Sequence, residues 1–83
     1  MSYKIIIPKT ALQDLKKIDK STRARIAKKL QFYIKQGAPL DFARLLVHSS
    51  IGQYRLRVGH FRIAFDLDGD KINITRIQHR KDV

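Results

Sequence analysis

The chain contains no cysteine, no tryptophan and no glutamate, and it has only 4 glycines and 2 prolines in 83 residues. Without cysteine there is neither a disulfide framework nor a thiolate metal site, which is compatible with a reducing, cytoplasmic setting. Long apolar runs are missing too, and none approaches the roughly 20 residues of a membrane-spanning helix. Ile5-Ile6-Ile7 is stopped at once by Pro8, so the amino terminus lacks the apolar stretch that a secretory signal requires. No repeat, low-complexity segment or linker divides the chain. A single small domain over residues 1–83, with a thin core, is therefore expected. Negative charge is scarce as well: 7 acidic residues, all aspartate, face 18 lysines and arginines, for a formal net charge of +11. That excess repels itself in the folded state and points to an anionic partner, either nucleic acid or an acidic protein. An anionic membrane is the weaker third choice.

What is present reads as an α+β chain. Residues 3–7 are short and β-branched, bounded by Pro8, and predict a buried strand. Thr10 with Gln13 has the form of a capping box, after which Ala11, Leu15 and Ile18 recur at helical spacing. Residues 19–22 supply turn and N-cap types, and Ile26, Leu30, Tyr33 and Ile34 then mark one face of a longer helix ending before Gly37. Residues 37–50 are the least regular part, with Pro39 and His48-Ser49-Ser50, while Phe42, Leu45 and Leu46 are candidates to anchor a short turn on the core. An antiparallel β-meander closes the chain. Asp68-Gly69 predicts its second turn and pairs Asp66 with Lys71, Asn73 with Ala64 and Thr75 with Arg62, and Arg76-Ile77 breaks the alternation where a bulge or strand end is expected.

The first turn of the meander carries the functional signal. In Tyr54-Arg55-Leu56-Arg57-Val58-Gly59-His60-Phe61-Arg62-Ile63 the two-residue period and the Gly-X centre predict a tight hairpin. With Gly59 and His60 as the turn, Arg57 faces Arg62 and Arg55 lies further along the same face. Like charges directly opposite destabilise a sheet, so the fold gains nothing from them. Guanidinium forks on a rigid ribbon match phosphate oxygens in charge and geometry, which makes a polyphosphate backbone the natural ligand. The plain alternative, a solvated outer sheet face, leaves the opposed charges unexplained. Tyr54 alternates onto the core face and reads as packing.

The order strand, helical hairpin, three-stranded meander, with Tyr54-Arg55-Leu56-Arg57-Val58-Gly59-His60-Phe61-Arg62 and the ending Ile77-Gln78-His79-Arg80-Lys81-Asp82-Val83, resembles the RelE/ParE toxin superfamily over nearly the whole chain. The resemblance implies an α+β fold in which one sheet face packs on the helices. For RelE-like members it implies a ribosome-dependent endoribonuclease that cuts messenger RNA in the decoding site by attack of a ribose 2′-hydroxyl on the adjacent phosphate. ParE-like members share the fold, poison DNA gyrase and usually lack the basic catalytic set. Carried over by position, the RelE pattern falls on Arg55, Arg57, Arg62 and Arg80, all basic here. The family motif commonly continues into a tyrosine after the position of Val83, so the resemblance implies an attenuated nuclease for the sequence as it stands. A cognate acidic antitoxin, covering the basic face in a hetero-oligomer, is the implied partner, along with the ribosome and its mRNA.

Other features have plainer readings beside the functional ones. His79 is a candidate acid or base because histidine titrates near neutrality, while His60 reads as a turn residue. A basic chain end is an ordinary surface feature, which is the alternative for Arg80. Lys16, Lys17, Lys20, Arg23, Arg25, Lys28 and Lys29 form either a polar helix face or a second basic surface making sequence-independent contacts to RNA phosphates. Residues 66–70 superficially resemble a calcium loop but lack the remaining ligand spacing, so a charged hairpin is the better reading and no metal or cofactor is called for. A non-catalytic RNA-binding module stands as the third functional class, with no exposed aromatic platform to support it.

Overall fold

Pro8 sets the first boundary. In the computed structural model, which describes residues 3–35, 43–45 and 52–82, strand β1 (Lys4–Ile6) runs into Pro8, whose φ of −66° and ψ of 169° keep the chain extended. Helix α1 (Lys9–Lys16) begins directly after it, with the Pro8 carbonyl accepting from the Leu12 N–H at 2.9 Å. The expected Thr10/Gln13 capping box is not formed: Thr10 lies inside the helix, because the fixed φ of proline places the start one residue before it. Helix α2 (Lys20–Lys35) has the cap that the sequence predicts. Asp19 Oδ2 accepts from the Thr22 N–H at 3.1 Å and the Ser21 hydroxyl at 2.6 Å, and Oδ1 accepts from the Thr22 hydroxyl at 2.6 Å.

Four further strands follow, β2 (Arg44–Leu45), β3 (Tyr54–Val58), β4 (Phe61–Asp68) and β5 (Lys71–His79), and a short 3-10 turn, Arg80–Asp82. They form one sheet in the order β1-β5-β4-β3-β2, with β1 parallel to β5 and the other pairs antiparallel. Leu45, expected in a turn, pairs as strand β2 with Tyr54. The readings on Gly37, Pro39, Phe42, Leu46 and residues 48–50 lie outside the described residues. β1 is a sheet edge rather than a buried strand, and Ile6 and Ile7 are 38% and 42% exposed.

One face of the sheet meets both helices. Leu56, Val58, Ile63, Phe65, Ile72, Ile74 and Ile77 pack there against Ala11, Ile18, Ile26 and Leu30. Full burial of a side chain such as Phe65 or Ile63 contributes about 1.5–3 kcal/mol, so this layer dominates the stability of so small a chain. Tyr54 joins it, stacked on Phe65 with ring centroids 5.5 Å apart, as its alternation predicts.

The β4–β5 register corrects the sequence expectation. The turn residues are Gly69, at φ +61°, and Asp70, so Asp68 rather than Asp66 faces Lys71. Asp66 pairs with Asn73, Ala64 with Arg76 and Arg62 with Gln78. The observed register gives Leu67 an apolar partner in Ile72, where the expected one would have set it against Asp70. A bulge at Thr75, one residue before the expected break, restores the alternation, so that Ile74 and Ile77 are both buried and the strand continues to His79.

Candidate nucleic-acid interface

The β3–β4 hairpin forms as its sequence dictates. Gly59 takes φ +60°, which side chains with a Cβ rarely adopt, and Val58 pairs with Phe61 and Arg57 with Arg62. Residues in register share a face, so Arg57, Arg62 and Gln78 form one row across three strands, and Arg55, Ala64 and Arg76 occupy the next row of the register. β2 sets Arg44 opposite Arg55, a basic position that the irregular segment concealed from pattern reading. Arg57 is exposed and Arg62 is half-buried. The Arg62 Nε is shielded from solvent and has no hydrogen-bond partner among the described residues, an arrangement that ordinarily costs on the order of 1–3 kcal/mol.

The carboxyl-terminal turn docks on this hairpin. The Arg80 N–H donates to the His60 carbonyl at 2.8 Å, which brings Arg80 to the same end of the sheet as Arg57 and Arg62. His79 belongs to the other side: it pairs with Phe61, edge-on to that ring at 5.1 Å between centroids, and its ring lies 6.0 Å from that of His60. Its Nδ1 accepts from the Lys81 N–H at 3.1 Å, which leaves Nε2 to carry the proton of the neutral ring. The fold therefore gathers Arg57, Arg62 and Arg80 at one end, while His79 faces the helix layer. Arg55 is half-buried one row further along.

The basic helix residues do not join this row. Lys16, Lys17, Lys20, Arg23, Arg25, Lys28 and Lys29 are all exposed on the helix layer, across the sheet from Arg57. Phe32 lies on α2 among them, 48% exposed, with the Lys29 Nζ 5.4 Å from its ring centroid. Sequence reading missed this exposed aromatic, although Phe32 falls outside the apolar stripe of α2.

Sequence reading also gave no role to Asp14 and Arg76. Strand β1 covers only residues 71–73 of β5, which leaves the upper edge of that strand open. Asp14 of α1 closes it. Its Oδ2 accepts both from the Arg76 Nε and from the Ile77 N–H, each at 2.9 Å.

Comparison with known proteins places this architecture. The profile of the ParE toxin of the type II toxin–antitoxin system parDE matches residues 5–83. The chain belongs to the RelE/ParE superfamily of type II toxin–antitoxin toxins. It is 32% identical over 83 residues to Toxin RelE3 of Methanocaldococcus jannaschii, with 96% of this chain and 93% of that one covered. The toxin–antitoxin complex RelBE2 of Mycobacterium tuberculosis contains a chain of the same fold, with a TM-score of 0.79 at 22% identity, covering 96% of this chain and all (100%) of that one. The RelB–RelE antitoxin–toxin complex of Methanococcus jannaschii gives a TM-score of 0.70 at 28% identity over 93% and 92% of the two chains. In this RelE/ParE toxin no described helix is long and apolar enough to cross a membrane.

Proposed function

We propose that this toxin is a RelE-type endoribonuclease that cleaves messenger RNA held in the ribosomal decoding site. The observation that carries the reading is Arg57 in register with Arg62, whose buried Nε has no partner among the described residues, at the end of the sheet to which Arg80 is docked. In the proposed reaction the ribose 2′-oxygen bonds to the adjacent phosphorus, the bond to the 5′-oxygen breaks, and a cyclic phosphate and a free 5′-hydroxyl result. Negative charge grows on the non-bridging oxygens, where Arg57 and Arg62 offer preorganised donors. Loss of one such donor typically costs about 100- to 1,000-fold in rate. Arginine never deprotonates usefully, so the site acts by position and charge, and the ribosome supplies the orientation of the strand.

An acidic antitoxin segment lying over the arginine row would hold the toxin inactive. The solved relatives of this fold are themselves complexes with antitoxins, which supports such a partner here. The ParE profile favours a second reading, a toxin directed at DNA gyrase. Toeprinting of messenger RNA in a translation extract decides between them. Ribosome-dependent cuts at codon positions, lost in Arg57→Ala and Arg62→Ala, support the nuclease. Intact messenger RNA together with gyrase-linked DNA breaks would overturn it.

A further inference from the structure

On the helix side of the same end of the molecule, the close of α1 and the open edge of β5 enclose a polar cleft of about 460 Å³, lined by Asp14, Lys17, Phe61, Arg76, Gln78 and His79 among others. Its donors are held in place rather than merely nearby. Asp14, whose side chain is only 10% exposed, engages the Arg76 Nε, no bond to the terminal nitrogens of the fork is formed among the described residues, and 44% of the Arg76 side chain is exposed. The Ile77 N–H occupies the same Asp14 oxygen, which fixes the carboxylate in turn. His79, whose Nδ1 accepts from the Lys81 N–H, also lines the cleft. Lys17, the C-cap residue of α1, adds an exposed ammonium. A neighbouring cleft shares Asp14, Lys17 and Arg76 and adds Lys16, so basic groups continue beyond Arg76.

We propose that this cleft is a second phosphate site, which takes a backbone phosphate of the same single-stranded RNA that lies on Arg57 and Arg62. Gln78 joins the two: it stands in register with Arg62 and also lines the cleft. From β3 to β5 is two strand spacings, about 10 Å, and the path then turns round the β5 edge onto the helix side, a course that the longer RNA can follow and a trinucleotide cannot. Phosphate suits the cleft better than a cation does, since Lys17 and Arg76 outnumber Asp14 and that carboxylate already serves two donors. A run of neighbouring basic groups suits a chain of phosphates better than a single ion. The proposal rests on RNA as the ligand of the arginine row and is independent of cleavage.

The test is binding of the full chain to non-cleavable 2′-O-methyl RNA of three and of twelve nucleotides, followed by fluorescence anisotropy at several salt concentrations. Lys17→Gln and Arg76→Lys should each weaken the longer RNA about 3- to 10-fold, with a much smaller effect on the trinucleotide; Lys17→Gln, which removes a charge, should also reduce the magnitude of the salt slope by roughly 0.7, whereas Arg76→Lys, which loses the fork and keeps the charge, should leave it nearly unchanged. Arg57→Ala should weaken both lengths. Unchanged binding of the longer RNA by both cleft variants would overturn the proposal. An effect of Lys17→Gln without one of Arg57→Ala would overturn the shared path through the failure of the arginine row as an RNA site, which is distinct from failure of the cleft itself. Titration with orthophosphate, read on the His79 imidazole signals, distinguishes a free ion: saturable binding there with no effect on long RNA overturns the strand assignment. So does weakening by the cleft variants of an acidic peptide alone. Lys17→Gln changes an exposed side chain, so it tests the site even if Arg76→Lys disturbs the fold.

Discussion

Arg57 lies directly opposite Arg62 across the β3–β4 ladder, and the Nε of Arg62 is buried with no partner among the described residues. Repulsion between the pair and desolvation of that nitrogen both oppose folding. Arg62→Met, which keeps the length of the chain without the charge, is therefore expected to hold or raise the thermal midpoint while ribosome-dependent cleavage falls about 100- to 1,000-fold. Thermal unfolding and single-turnover cleavage on one preparation check both halves. A marked loss of stability would mean that Arg62 is part of the folding core and not of a site.

Asp14 carries the opposite kind of role. It bonds a charged donor and a backbone N–H from a nearly buried position at the open edge of β5. Asp14→Ala leaves the Ile77 N–H without this acceptor and releases Arg76, and is expected to destabilise by about 2–4 kcal/mol. Asp14→Asn retains an acceptor for the Ile77 N–H and should lose less. Urea denaturation of the three proteins orders them, and equal midpoints for Asp14→Ala and the parent would refute the edge-closing role.

Much of this is legible in the sequence. The Arg57/Arg62 register followed from Gly59-His60 because a two-residue loop permits little else, and the α2 cap followed from Asp19 with Ser21 and Thr22. Turn chemistry alone sets the β4–β5 turn one residue early, because Asp68-Gly69 and Gly69-Asp70 are both acceptable turn pairs and only the pairing of Leu67 with Ile72 decides between them. Arg76 could not be assigned from pattern at all. Its partner Asp14 is 62 residues away in sequence, and contacts of that range leave no periodic trace.

Asp19 makes a pH dependence testable. Hydrogen bonds from the Ser21 and Thr22 hydroxyls and the Thr22 N–H hold its carboxyl at about 2, well below the usual carboxylate range. The folded value is depressed, so the stabilisation is fully present above the unfolded value of about 3.9 and is lost as pH falls from there through about 2. Asp19→Ala should lower the thermal midpoint at neutral pH and converge on the parent near pH 2. A gap between the two proteins that stays constant across that range would show that the cap does not depend on ionisation.

Gly52 marks a close approach of two backbone segments. A Cβ built there would lie 2.9 Å from the Thr75 Oγ1 and 3.2 Å from both the backbone N and O of Phe65, so the chain before β3 crosses close over β4 next to the bulge. Gly52→Ala is expected to destabilise by about 1–3 kcal/mol, because two of the three close contacts fall on the backbone of Phe65, a fully buried residue paired on both sides in the sheet. Adding Thr75→Ala should recover only part of the loss, since it removes the side-chain clash and leaves the backbone one. Gly59→Ala separates the two reasons for glycine in this sheet: nothing lies within 4 Å of a Cβ there, and the penalty is the φ of +60° alone, about 1–2 kcal/mol. Gly59→Asn, which tolerates that conformation, should restore most of it. Chemical denaturation of the four variants checks the pattern, and full rescue of Gly52→Ala by the Thr75 change would show that the backbone contact is not the limiting one.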